Sequence, residues 1–148
     1  MAAALDEARR AVDEGEVPVG AVIVSGGRVV GRGHNRTEAL RDPTAHAEIL
    51  AIGAACRSLG VPRLTKATIY VTMEPCPMCA GAIVLARIKR LVYGCTDPKA
   101  GFAGTLGNIV DDPSLNHRTA VVSGVMGEDC SKLLRAFFER ARGRSSAA

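Results

Sequence analysis

The sequence predicts a layered α/β domain. Two observations carry this expectation. Short strand-like runs of Val, Ile and Ala alternate along the chain with segments of helical period. Glycine, proline, serine or aspartate punctuates the boundaries between them. The composition agrees: of 148 residues 47% are hydrophobic and 23% charged, with three Phe, two Tyr and no Trp, so the core must be aliphatic. That length fits one domain over residues 1–148 with a substantial core. There is no internal repeat and no linker, and only 143–148 reads as a disordered tail.

The elements follow in order. Leu5, Ala8 and Val12 recur at helical spacing, which predicts a surface helix over 2–14. The runs VGAVIV (19–24) and RVVGRG (28–33), separated by Ser25-Gly26-Gly27, predict a β-hairpin. Asp42-Pro43-Thr44 predicts a helix start, with Asp42 or Thr44 as the cap, and the helix should run from Thr44 to Leu59 before Gly60 and Pro62. ATIYVT (67–72) is a third strand. Pro77 opens a helix to Ile88, RLVYG (90–94) is a fourth strand, and TAVVSG (119–124) a fifth. Cys130, Leu133, Leu134, Phe137, Phe138 and Ala141 form the apolar stripe of a last helix. Its acids, Glu128 and Asp129, lie at the start and its arginines, Arg140 and Arg142, at the end, as the helix dipole favours. Phe137 and Phe138 are expected in the core or an interface.

Several function classes are excluded. No uncharged apolar run is long enough for a transmembrane helix, and the charged N-terminal segment does not read as a secretory signal. Five cysteines, an odd number, suit a reducing cytoplasm and free or metal-bound thiols. A net charge of +4 permits a polyanionic partner without demanding one.

The chemistry concentrates in EPCPMC, 74–79. Pro75 disfavours helix at Glu74, and Pro77 suits a first helical turn. Cys76 then stands near the N-cap and Cys79 one turn in, on the same face. A helix N-terminus favours thiolate, the metal-binding form of cysteine. Taken alone, this pair reads equally as a metal site, a redox pair or buried packing. His46 and Glu48 begin the second long helix, in TAHAEIL. Glu48 precedes the apolar residues Ile49 to Ile52, where an acid carries a desolvation cost unless something uses it. The plainer alternative places it in solvent, stabilising the helix dipole. Jointly, H-x-E at 46–48 and P-C-x-x-C at 75–79 supply three zinc ligands, His46, Cys76 and Cys79. A fourth position left to water is the mark of a catalytic zinc site.

This joint pattern resembles the signature of the zinc-dependent cytidine deaminase superfamily. Within it the chain is similar to the bacterial tRNA-specific adenosine deaminases, through EVPVGAVIV, GHNR, DPTAHAEI, ATIYVTMEPCPMCAGAI, RIKRLVYG, DPKAGFAGTL, LNHR and the C-terminal EDCSKLLRAFF. The resemblance implies a three-layer α/β/α fold around a five-stranded mixed sheet. It implies one zinc ion per chain, a zinc-activated water and Glu48 as proton shuttle, producing inosine at the wobble position of a tRNA anticodon loop. It also implies a homodimer with its active site near the subunit boundary. Asn35, in GHNR, corresponds to a residue that hydrogen-bonds the purine; from sequence alone it reads as a turn residue. Asp97, in the long glycine-rich segment from Thr96 to Asn116, corresponds to a residue facing the ribose, and by spacing alone reads equally as an Asp-Pro turn. Lys99, Arg118, Lys132, Arg135, Arg140, Arg142 and Arg144 are available to phosphates, though any one alone is more simply a solvated charge. Two other readings stay open: a deaminase of free bases or nucleosides of the guanine or cytosine type, and a non-enzymatic binding module built on structural zinc.

Overall fold

The computed structural model describes residues 1–147. Its elements are α1 (Ala2–Asp13), β1 (Gly20–Ser25), β2 (Arg28–His34), α2 (Thr37–Leu40), α3 (Ala47–Leu59), β3 (Thr68–Met73), α4 (Pro77–Leu85), β4 (Arg90–Cys95), β5 (Ala120–Val122) and α5 (Gly127–Ser146). The strands form one sheet in the order β2-β1-β3-β4-β5. β1 pairs antiparallel with β2 and with β3, while β3–β4 and β4–β5 are parallel. Among the described residues β1 is therefore the only strand running against the others, and the sheet is mixed. β2, β3 and β4 all end at one edge.

Helices cover both faces. Ala21 and Ile23 of β1, Ile69 and Val71 of β3 and Leu91 and Tyr93 of β4 form one buried layer with Ala47, Ala51 and Ala55 of α3 and Ala80 and Ile83 of α4. α1 packs on β1 and β2 of the other face, and α5 on β4 of that face. Small residues let α3 approach closely. A Cβ on Gly33 would lie 2.5 Å from the Ala47 carbonyl, and one on Gly31 2.5 Å from that of Ala51. The backbone of β2 is thus pressed against the start of α3, which carries the candidate chemistry. The hairpin is as expected: Ser25 pairs with Arg28, and Gly26 and Gly27 both take positive φ, the two-residue turn that matches strand twist.

The structure corrects several boundaries. α3 starts at Ala47 rather than Thr44, with His46 at its N-cap in extended conformation. Asp42 cannot cap it, because its Oδ1 accepts from both the amide and the hydroxyl of Thr44 in a local turn. A short helix, α2, appears before that turn. α4 ends at Leu85, followed by Arg87 in the left-handed region. β5 shrinks to three residues. The expected tail at 143–148 is a helix through Ser146, where the hydroxyls of Ser145 and Ser146 donate to the carbonyls of Ala141 and Arg142. Ala148 lies outside the described residues. Among the described residues no helix is long and apolar enough to cross a membrane.

Candidate active site

The site forms where three co-directional strands end. Asn35 follows β2, Glu74 and Cys76 follow β3, and Asp97 follows β4. Above that edge the N-termini of α3 and α4 meet. His46 caps α3, Cys76 caps α4 in extended conformation, and Pro77 opens the first turn. His46 Nδ1 lies 3.6 Å from Cys76 Sγ and 3.5 Å from Cys79 Sγ. The three donor atoms all fall within 4.8 Å of one another.

Those spacings test the fit to a metal. A tetrahedral zinc ion at about 2.3 Å from sulfur and about 2.0–2.1 Å from nitrogen holds the two donors about 3.6 Å apart. The imidazole–sulfur distances match. The protonation pattern points the same way. Hydrogen bonds from Cys79 and then His46 hold the Cys76 thiol down at about 4, which favours its thiolate form. The Cys79 thiol is pushed well up, first by its bond to Cys76 and then by burial and the nearby Glu48. His46 is raised by its bond to Cys76. A second negative charge, on Cys79, is thus disfavoured beside the first. A divalent cation would remove that penalty.

Glu48 stands in the first turn of α3, only 4% exposed, and burial raises its carboxyl above the usual range. It lines a pocket of about 310 Å³ together with His46, Cys76, Asn35 and Asp97. That volume is at the small end for ligand pockets. All six residues singled out in the sequence are therefore at one place: three as a donor cluster, three in the pocket beside it. Asn35 is buried and its amide donates to the Val17 carbonyl at 3.4 Å. Asp97 does make the Asp-Pro turn, its Oδ1 accepting from the amides of Lys99 and Ala100, and still lines the pocket.

A second groove of about 720 Å³ adjoins the first and shares Val17, Met73 and Asp97 with it. Lys99, Arg135 and Arg142 line this groove, as does Phe138, which at 43% exposure is not a core residue. Arg118 stands apart from it, paired with Asp111 at 2.7 Å.

Two pocket-building residues escaped sequence reasoning. Glu16 is buried and accepts from the amides of Glu38 and Ala39, tying α2 to the pocket rim. Glu74, 3% exposed, accepts from the amides of Asp97, Ala103 and Thr105 and from the Thr105 hydroxyl. Burial opposes its ionisation, but those bonds prevail and hold its carboxyl below the usual range. A signal was present for Glu74: it is the only acid between Glu48 and Asp97.

Comparison with known proteins agrees with this geometry. The family model of MafB19-like deaminases matches residues 1–142. The tRNA-specific adenosine deaminase of Bacillus subtilis (strain 168) is 49% identical over 148 residues, covering all of this chain and 92% of that protein. Among solved structures, one from a study of A-to-I editing by tRNA:A34 deaminases at the wobble position superposes with a TM-score of 0.87 at 48% identity, over 90% of this chain and 97% of that one. A guanine deaminase from Bacillus subtilis superposes less well, with a TM-score of 0.62 at 34% identity, over 95% of this chain and 89% of that one.

Proposed function

Because the chain belongs to the MafB19-like deaminase family and, within it, to the tRNA-specific adenosine deaminases, we propose that it hydrolyses adenosine to inosine at the wobble position of a tRNA anticodon loop. The observation that carries the reading is the buried carboxylate of Glu48 next to a His/Cys/Cys cluster, in the same pocket as Asn35. His46, Cys76 and Cys79 would hold one zinc ion per chain. When bound, zinc supplies Lewis-acid activation of a water molecule. Glu48 would accept a proton from the water molecule whose oxygen bonds to C6 of the adenine, and pass that proton to ring N1. It then assists proton delivery to the amine, which leaves as ammonia while a carbonyl remains at C6. One carboxylate serves as base and then acid.

Asn35 orients the base, since its amide both donates and accepts. Asp97 accepts from a ribose 2′-hydroxyl, a contact that selects RNA over DNA. The groove bearing Lys99, Arg135 and Arg142 receives the stem-loop phosphates. A homodimer in the cytoplasm completes the reading. Leu85, at the end of α4, is 75% exposed and is an apolar side chain available to a partner subunit. The free-base alternative is less well supported, because this chain matches the tRNA:A34 deaminase better than it matches the guanine deaminase, in both backbone and identity. A structural-zinc module needs a fourth protein donor, and the cluster has three among the described residues.

The reading is tested by incubating the protein with unmodified tRNA carrying adenosine at the wobble position and sequencing the product. An A-to-G change confined to that position is expected. Turnover of free guanine or cytosine with an unchanged tRNA would refute it.

A further inference from the structure

The chain from Asp97 to Thr105 has no helix or strand of its own, yet it walls the pocket. What closes it is one side chain. Glu74 Oε1 accepts from the Asp97 amide at 3.2 Å and the Thr105 hydroxyl at 2.5 Å; Oε2 accepts from the amides of Ala103 and Thr105, both at 3.1 Å. A carboxylate has about four acceptor positions, and all are used by this loop. Among the described residues it forms no ion pair with any Lys, Arg or His, so the loop alone compensates a buried charge. The contact is close: a Cβ on Gly101 would stand 2.5 Å from the carboxylate. The main chain beside it is tied as well, through Glu74 N–H to the Cys95 carbonyl and Phe102 N–H to that of Pro75.

We propose that Glu74 is a positioning residue for the substrate, holding the Asp97–Thr105 loop closed so that Asp97 meets the ribose of the bound nucleotide. This rests on the reading of Asp97 given above. Glu74 precedes Cys76 by two residues, so the segment that presents the sulfurs also fixes the opposite wall of the pocket. Base-side chemistry and ribose-side recognition are then in register by construction. Glu74 moves no proton and touches no reacting atom.

Glu74→Gln tests this. The amide keeps one accepting oxygen and turns an N–H₂ toward the loop amides, donor against donor. For an anticodon stem-loop, KM and Kd should rise about tenfold or more, with kcat within about threefold of the parent and zinc at one per chain. The amides of Ala103 and Thr105 should lose protection from hydrogen exchange. Two variants keep Glu74 and disturb the same clamp, so the test survives if the glutamine form does not fold. Thr105→Val removes one donor, and Gly101→Ala pushes the loop off the carboxylate; each should raise KM and Kd with kcat preserved. A fall in kcat at constant KM and Kd, or faster amide exchange with unchanged KM and Kd, would overturn the proposal. An unmodified parent stem-loop would count against the functional reading instead, while stem-loop binding and amide exchange would still decide the clamp.

Discussion

At the scale of residues, the chemistry is set by what two helix starts can hold. His46 and Cys76 both sit at N-caps in extended conformation, without side-chain capping bonds, so their donor atoms are free to converge. Removing the imidazole leaves two sulfurs that bind zinc poorly. His46→Ala should therefore purify with less than about a tenth of the parent's zinc and form no inosine, as metal analysis and sequencing would read. Cys130 belongs to the fold and not to this site. Burial against β4 pushes its thiol up to about 11. The folded state thus favours the neutral thiol, and the resulting stability is complete below the unfolded thiol's pKa and is lost as pH rises toward 11. Denaturation midpoints of the parent should fall across that window, and those of Cys130→Ala should fall less. That His46, Glu48, Cys76 and Cys79 lie together was legible in the sequence, because the proposed metal ligation and proton transfer demand particular residue types at particular spacings. Glu74 offered only its isolation as a signal, because three of its four partners are backbone amides some twenty to thirty residues on, which leave no pattern in side chains.

At the scale of elements, the decisive contact is that of α3 on β2. Gly33 faces the Ala47 carbonyl and the Ala51 amide so closely that a methyl group has no room. Gly33→Ala should destabilise the protein by about 1–3 kcal/mol in chemical denaturation, the scale of an overpacked core. It should also reduce deamination more than zinc content, because the whole start of α3 moves with Glu48 on it. The helices and the hairpin were readable from period and punctuation. The errors lie where a boundary depends on local polar bonding. Asp42 looks like a cap but bonds Thr44, and the polar end of α5 has no apolar stripe to announce that the helix continues.

At the scale of the whole molecule, one reversed strand among five brings the ends of β2, β3 and β4 to a single edge, and every candidate residue hangs from that edge or from the helices above it. The joint motif anticipated that His46, Cys76 and Cys79 meet, but the loop ties of Glu74 and the adjoining groove were not legible, because segments far apart in the chain meet there only through strand order. The adjoining groove with Lys99, Arg135 and Arg142 extends the site along α5. RNA stem-loops should be deaminated far faster than free adenosine or the matching DNA, and their affinity should fall steadily with added salt, with a smaller salt slope for Arg135→Gln. The most direct measurement of the central claim is the zinc content and inosine yield of Glu48→Gln on a tRNA anticodon stem-loop. The three donors are untouched, so the variant should hold as much zinc as the parent, with inosine formation reduced by a factor on the order of 10² to 10⁴. Near-parental inosine from a fully metallated Glu48→Gln protein would show that another group moves the protons, and would contradict the account.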